Sequence, residues 1–240
     1  MSSDRGSVAL VTGGSRGIGR AVVEALLAEG WVVHFCSLSP ESVERTLAAL
    51  EEAHEGRVHG HAVDIRSQDA VNSLVEQVAA RSGRIDCLVN NAGLGRFGPV
   101  DSLAGDAWRE VVETNLNGAF YALRAVSRVM LEQGDGWIVN IASLAAKNAI
   151  AGGAAYNASK FGLLGLSEAA MLDLRHHGIR VTAILPGSVD TDFRPPSRRS
   201  STDWMLAPED VARAVLDLLR YPARALPSRI ELRPSRPPRG

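Results

Sequence analysis

Cysteine is scarce in this 240-residue chain. Cys36 and Cys87 are the only two, and each sits inside an apolar run of strand character. Two cysteines and a short polar start, Met1 to Ser7, with no leader-like apolar stretch point to a reducing compartment, and the expected location is cytoplasmic. Both thiols read as core residues, and no metal site is expected. Charge of one sign is equally lacking: 26 Lys and Arg stand against 27 Asp and Glu, a formal net charge of −1. No overall field therefore favours nucleic acid or an anionic membrane as partner. No apolar run approaches the roughly 18 residues of a membrane span. No Pro- or Ser-rich linker interrupts the middle, so residues 1–240 read as one domain, large enough to bury an apolar core without staples. What these absences leave is a small-molecule partner.

What is present is alternation. Short β-rich runs at Val8–Val11, Trp31–Phe35, Val58–Val63, Ile85–Val89, Trp137–Ile141 and Ile179–Leu185 are separated by stretches with apolar residues at helical spacing, such as Ala21, Val22, Ala25 and Leu26. Long helices are expected over Asp106–Gln133 and Ala155–His176. Strands too apolar to have a wet face, each followed by a helix, imply an α/β fold: a doubly wound parallel sheet between two helical layers. In such sheets ligands bind beyond the carboxyl ends of the strands. Residues 190–207 read as a lid, followed by a helix at Pro208–Arg220, a last strand at Ser228–Leu232 and an unpacked Pro/Arg tail at 234–240.

Directly after the first strand, Gly13, Gly14, Ser15, Arg16, Gly17, Ile18 and Gly19 open into the first helix. Glycine permits positive φ and a close backbone approach, and a helix N-terminus offers unpaired N–H groups, so the turn suits a pyrophosphate. Thr12, Gly13, Gly17 and Gly19 fit a TGxxxGxG pattern. Asn90-Asn91-Ala92-Gly93, Asn115, Ser143, Tyr156 and Lys160 follow in order. On these residues the chain resembles the short-chain dehydrogenase/reductase family over nearly its whole length, which implies a Rossmann-like fold and hydride transfer between a nicotinamide cofactor and a carbonyl or secondary alcohol.

Physical chemistry supports the constellation independently. Tyr156 and Lys160 are four residues apart on one helix face, which sets a cation near a phenol. Bringing a phenol from its ordinary pKa of about 10 to near 7 takes about 4 kcal/mol of preferential phenolate stabilisation, and Lys160 together with a nicotinamide cation is a suitable source. Ser143, after the fifth strand, can donate to a substrate oxygen and accept from Tyr156. The resemblance further implies that Lys160 holds the nicotinamide ribose and that Asn115 supports a water relay through Lys160. It also implies cofactor contacts from Asn91, Ala92 and Gly93, from Asp64 with Ile65, and from Pro186, Gly187, Val189 and Thr191 of a PGxVxT-like segment. Each has a plainer role available: Asn91 as a turn residue, Asp64 as a helix cap, Lys160 as a solvated charge.

An acidic residue at the end of the second strand would favour NAD(H). Phe35-Cys36-Ser37-Leu38-Ser39 has none, and Arg16, Ser37 and Ser39 are placed to receive a 2′-phosphate. NADP(H) is therefore favoured over NAD(H), although Leu38 stands where a second basic residue would strengthen that preference. The substrate is a carbonyl or alcohol enclosed by Leu94, Arg96 and Phe97, by residues 144–153 and by the stretch around Phe193. A 3-oxoacyl-carrier-protein reductase, with Arg194, Arg198 and Arg199 as a basic entrance, and a non-catalytic NADP(H)-binding regulator are the alternatives. Apolar residues on more than one face of the two long helices, with the resemblance, imply a homodimer or homotetramer.

Overall fold

The computed structural model describes residues 6–193 and 202–238. Seven parallel strands form one sheet in the order β3-β2-β1-β4-β5-β6-β7: β1 Val8–Thr12, β2 Val32–Ser37, β3 Val58–Ala62, β4 Cys87–Asn90, β5 Gly136–Ile141, β6 Ile179–Pro186 and β7 Arg229–Leu232. The helices are α1 Gly17–Ala28, α2 Pro40–Leu50, α3 Gln68–Ser82, α4 Gly105–Val112, α5 Gly118–Gln133, α6 Ala154–Leu174 and α7 Pro208–Leu219. Side chains alternate across the sheet as the pleat requires. Ala9 and Val11 of β1 face a core shared with α1, α2 and α7. Val8 and Leu10 face a second core shared with α3, α5 and α6. Five consecutive buried residues in β1 and six in β5 explain why these strands show no polar face in the sequence.

The expected fold is thus observed, with local differences. The helix expected over Asp106–Gln133 is interrupted by a π-helical turn, Glu113–Asn117, between α4 and α5. Strand β2 runs on to Ser37, because parallel pairing with β3 continues through Cys36–His61 and Ser37–Ala62. Ile85 lies outside β4: its N–H is bonded to Gln133 Oε1 at 2.9 Å rather than to a ladder neighbour. Cys36 and Cys87 are unpaired and buried, and burial pushes both thiols up to about 12, which makes them inert. Among the described residues no helix is long and apolar enough to cross a membrane.

The sheet order reverses between β1 and β4, so the turns leaving these two strands diverge and open a crevice at their carboxyl ends. Asn91 and Thr12 fix its floor. Asn91 Nδ2 donates to the carbonyls of Thr12 and Gly13 at 3.0 and 3.1 Å, while Thr12 Oγ1 accepts from the N–H groups of Asn91 and Ala92. A second polar brace is wholly internal. Asn90 Nδ2 donates to Asn140 Oδ1 at 2.9 Å, and Asn140 Nδ2 donates to Ser167 Oγ at 2.8 Å, tying β4 to β5 and α6.

Near the edge of the sheet, three histidines meet under α3. The buried His34 of β2 places Nδ1 3.1 Å from His61 Nε2 and Nε2 2.8 Å from Ser82 Oγ. Its ring lies 4.6 Å from that of His59, and Arg81 Nε donates to His59 Nε2 at 3.3 Å. Burial, then the neighbouring imidazoles and Arg81, push His34 from 6.5 down to about 3, and His59 and His61 are lowered as well. Glu51 opposes this only at His59. The cluster is therefore neutral in the fold, while the unfolded chain takes up protons as pH falls through about 6.5. Stability is complete above that value and declines toward pH 3, by up to about 1.4 kcal/mol per pH unit for each excess proton. Urea midpoints are expected to fall between pH 7 and pH 5, and His34→Gln to flatten that dependence. Parallel slopes in the two proteins would refute the assignment.

Candidate active site

The crevice holds a cavity of about 1550 Å³ bounded by the loops after β1, β2, β3, β4, β5 and β6. At one end stands the N-terminus of α1. Gly13 and Gly17 have φ of +67° and +53°, the left-handed region that glycine enters freely. Arg16, the N-cap of α1, makes no side-chain cap bond, so its side chain leaves the first N–H groups of the helix uncapped. Gly13, Ser15, Arg16, Gly17 and Ile18 line the cavity. Gly19 lies behind them: a Cβ there would stand 2.2 Å from the Gly13 carbonyl oxygen. These uncapped N–H groups, with the close backbone approach, fit the pyrophosphate of a dinucleotide. Gly19→Ala is expected to push the turn outward, lowering the thermal midpoint and abolishing dinucleotide binding; unchanged binding by fluorescence titration would contradict the cradle.

At the other end three side chains converge. Ser143, just past β5, caps a short 3₁₀ turn, its Oγ accepting from Ala145 N at 3.1 Å. Tyr156 and Lys160 lie one turn apart on α6, with Lys160 Nζ 5.8 Å from the centre of the Tyr156 ring. Lys160 Nζ donates to the Ile141 carbonyl at 3.0 Å. Burial pushes the Tyr156 phenol up, and a hydrogen bond with Ser143 pulls against it. Burial also lowers Lys160 from 10.5 to about 8. The lowered tyrosine expected from the sequence is therefore not a property of the protein matrix alone: both groups are desolvated, and Lys160 supplies its cation at a cost.

That cost has a sign. The unfolded chain holds the lysine proton more tightly than the fold does, so the fold carries a penalty of about 3 kcal/mol below pH 8 that fades as pH rises toward 10.5. Lys160→Met is expected to raise stability at pH 7 by up to that amount, less the loss from an unpaired Ile141 carbonyl. The gain should vanish by about pH 10. A destabilised variant at pH 7 in urea titrations would overturn this.

Asn115 sits in the π turn, buried and behind the cavity wall. Its Oδ1 accepts from Leu94 N at 2.8 Å, and Nδ2 donates to Leu94 O at 2.9 Å and to Ser159 Oγ at 3.0 Å. Ser159 Oγ in turn donates to the Tyr156 carbonyl at 2.8 Å. Asn115 thus clamps the loop after β4 to the helix that carries Tyr156.

A model of the short chain dehydrogenase family matches residues 7–202. The chain is a short-chain dehydrogenase/reductase. It is an oxidoreductase of the kind that acts on CH–OH and C=O groups. It is 40% identical over 188 residues to the D-threitol dehydrogenase of Mycolicibacterium smegmatis, covering 78% of this chain and 72% of that protein. It is 35% identical over 191 residues to the 3-oxoacyl-acyl-carrier-protein reductase of Salmonella typhimurium, covering 80% and 77%. In structure it resembles a variant of actinorhodin polyketide ketoreductase solved with NADPH, at a TM-score of 0.89 and 35% identity over 98% of both chains.

In this short-chain dehydrogenase/reductase most of the expected cofactor positions face one cavity: Ser37, Asp64, Ile65, Asn91, Ala92, Gly93, Pro186, Gly187, Val189 and Thr191 all line it. Ser39 does not. Its hydroxyl is engaged as the N-cap of α2, accepting from Ser42 N at 3.1 Å and donating to Glu41 at 2.6 Å. Ser15 Oγ donates to Ser37 Oγ at 2.9 Å. Asp64 is held by Arg66, whose Nη2 lies at 2.6 Å; this pairing keeps its carboxyl below the usual range.

The tail also differs from expectation. Leu232 pairs with Pro186, and Gly187 N donates to Leu232 O at 2.8 Å. The chain leaving β7 therefore passes the cavity, where Arg233, Pro234 and Pro237 form part of the wall. Sequence pattern carried no signal for this, since it follows from strand pairing. Trp204 was likewise missed, and it lies in the expected lid. Of that lid, residues 194–201, with Arg194, Arg198 and Arg199, are outside the described residues, as are 239–240 of the tail. Arg96 is paired with Glu110 at 2.9 Å and Lys147 with Glu231 at 2.6 Å.

Proposed function

We propose that the chain is an NADP(H)-dependent oxidoreductase that reduces a carbonyl to a secondary alcohol, or runs the reverse, with Tyr156 as general acid/base. The observation that carries this reading is the convergence of Ser143, Tyr156 and Lys160 in the cavity that also receives the uncapped N-terminus of α1. The bound nicotinamide supplies or accepts the hydride. Tyr156 gives its proton to the carbonyl oxygen, and Ser143 hydrogen-bonds the same oxygen as negative charge gathers there. Lys160, buried and still protonatable, steadies the phenolate that remains and holds the ribose. Asn115 keeps the loop after β4 in register with α6 and supports proton return through Lys160.

For the cofactor, Gly13 to Gly19 cradle the pyrophosphate, and Arg16, Ser15 and Ser37 receive the 2′-phosphate. Asp64 and Ile65 border the adenine, with Asn91, Ala92 and Gly93 on the central wall. Pro186, Gly187, Val189 and Thr191 border the carboxamide. No carboxylate side chain follows β2 in the Ser37-Leu38 stretch that would repel a 2′-phosphate, which supports NADP(H) over NAD(H). The exposed Trp108, Phe120, Phe161 and Leu172 on α4, α5 and α6 support assembly into a homodimer or homotetramer through these helices.

The test is consumption of NADPH and of NADH, followed at 340 nm, over a panel of aldehydes, ketones, diketones and 3-oxoacyl thioesters. Turnover with NADPH on ketones is the expected result. Turnover restricted to carrier-protein thioesters would move the reading to a 3-oxoacyl-carrier-protein reductase. Tight NADPH binding with no turnover, unchanged by Tyr156→Phe, would leave a binding regulator.

A further inference from the structure

The substrate end of the cavity is built largely of rings. Phe97, on the loop after β4, and Phe193, on the segment after β6, come from distant parts of the chain and meet over Tyr156. Ring centres are 5.7 Å apart for Phe97 and Tyr156, 5.5 Å for Tyr156 and Phe193, and 6.5 Å for Phe97 and Phe193. The last pair is edge-on, at 80°. Both phenylalanines line the cavity, yet they remain 43% and 40% exposed.

Two features show that this cluster is a built part of the wall. A Cβ at position 95 would lie 2.5 Å from Phe97 Cε2 and 3.0 Å from Phe193 Cζ, so glycine at that position is what admits both rings. Among the described residues, Arg96 beside Phe97 is paired with Glu110, and Lys147 with Glu231, so neither is a free counter-charge for an anionic substrate. Large apolar rings left half in water are an unused source of binding free energy, and aromatic pairs attract at centre separations of about 4.5–7 Å in tilted or offset geometry. A further flat ring resting on this cluster would find ring edges and faces to pack against, with its attached oxygen near Ser143 and Tyr156.

We propose that Phe97 and Phe193 form an aromatic clamp that selects flat, cyclic, hydrophobic carbonyl compounds over flexible acyclic ones. The proposal deepens the function put forward above and rests on it for the placement of the reacting oxygen. Phe97 and Phe193 act on specificity, with no proton to transfer, so their loss is read mainly in KM.

The experiment compares kcat/KM for indanone, a fused-ring ketone, with that for nonanone, an acyclic ketone of equal carbon number, in the wild type, Phe97→Ala and Phe193→Ala. The wild type is expected to favour indanone at least tenfold. Each alanine variant is expected to lower kcat/KM for indanone by about tenfold to a hundredfold, mainly through KM, and to leave nonanone within about twofold. Binding of naphthol, which cannot be reduced, is measured alongside by calorimetry with and without NADP⁺, and both variants are expected to weaken it. Preference for nonanone, equal losses on both ketones, or naphthol binding indifferent to the two substitutions would each overturn the clamp. If no ketone turns over and Tyr156→Phe has no effect, the reaction reading fails, while the naphthol titrations still decide the clamp.

Discussion

Tyr156→Phe is expected to lower turnover in both directions by about 10²–10⁴-fold, the usual contribution of a positioned proton donor, while NADPH affinity stays within about twofold. The substitution removes one oxygen and keeps the ring that Phe97 and Phe193 pack against, so the cavity keeps its shape. What disappears is the proton for the carbonyl oxygen, together with the hydrogen bond to Ser143. The pH profile carries the same signature. Reduction needs the protonated phenol, so its rate falls as pH rises through the Tyr156 pKa; oxidation needs the phenolate, so its rate rises over the same range. Burial pushes this pKa up in the protein, and the positive charge of oxidised nicotinamide pulls it down. The inflection for oxidation, measured with NADP⁺ bound, is therefore expected below that for reduction. A Phe variant that retains more than about a tenth of wild-type turnover, or identical inflections in the two directions, would remove Tyr156 from its proposed role.

Arg16→Ala is expected to weaken NADPH binding by about 10- to 100-fold and to leave NADH almost unchanged. A guanidinium to phosphate contact contributes about 1.5–3 kcal/mol, more than a neutral hydrogen bond. Arg16 is exposed and lines the same cavity as Ser37 and Leu38, and losing its side chain removes no core packing. Combining Arg16→Ala with Ser37→Asp should reverse the preference, because a carboxylate there repels a 2′-phosphate and accepts from the ribose hydroxyls of NADH. Fluorescence titration of both cofactors against both variants checks this. An equal loss for NADPH and NADH after Arg16→Ala would mean that Arg16 serves the pyrophosphate or the turn, and the proposed basis of NADP(H) preference would fall.

Much of this protein could be read along the chain. Its central strands β1, β4 and β5 are largely apolar because both faces are covered, as for Ala9 and Val11 on one side and Val8 and Leu10 on the other, which is the pattern of a buried parallel sheet. Tyr156 and Lys160 were legible as a pair because four residues make one turn of a helix, whereas Gly17 and Ser143 stood out only through the motif order that the chain shares with its family. Ser39 could not be resolved along the chain, because next to a strand end an N-cap serine and a phosphate-binding serine look alike; in the fold its hydroxyl accepts from Ser42 N and donates to Glu41.

The chain by itself thus determined the α/β order, the glycine turn after β1 and the placement of Tyr156 and Lys160 on one helix face, since each is encoded over short distances by periodicity or spacing. Tertiary structure decided what depends on long-range pairing. It put a π turn at Asn115, where the amide must reach Leu94 and Ser159 at once. It carried the segment after Leu232 past Gly187 into the cavity wall, through the pairing of β7 with β6. It brought Phe97 and Phe193, 96 residues apart in sequence, together over Tyr156, a contact that no local pattern encodes because it exists only once the loops after β4 and β6 meet over α6.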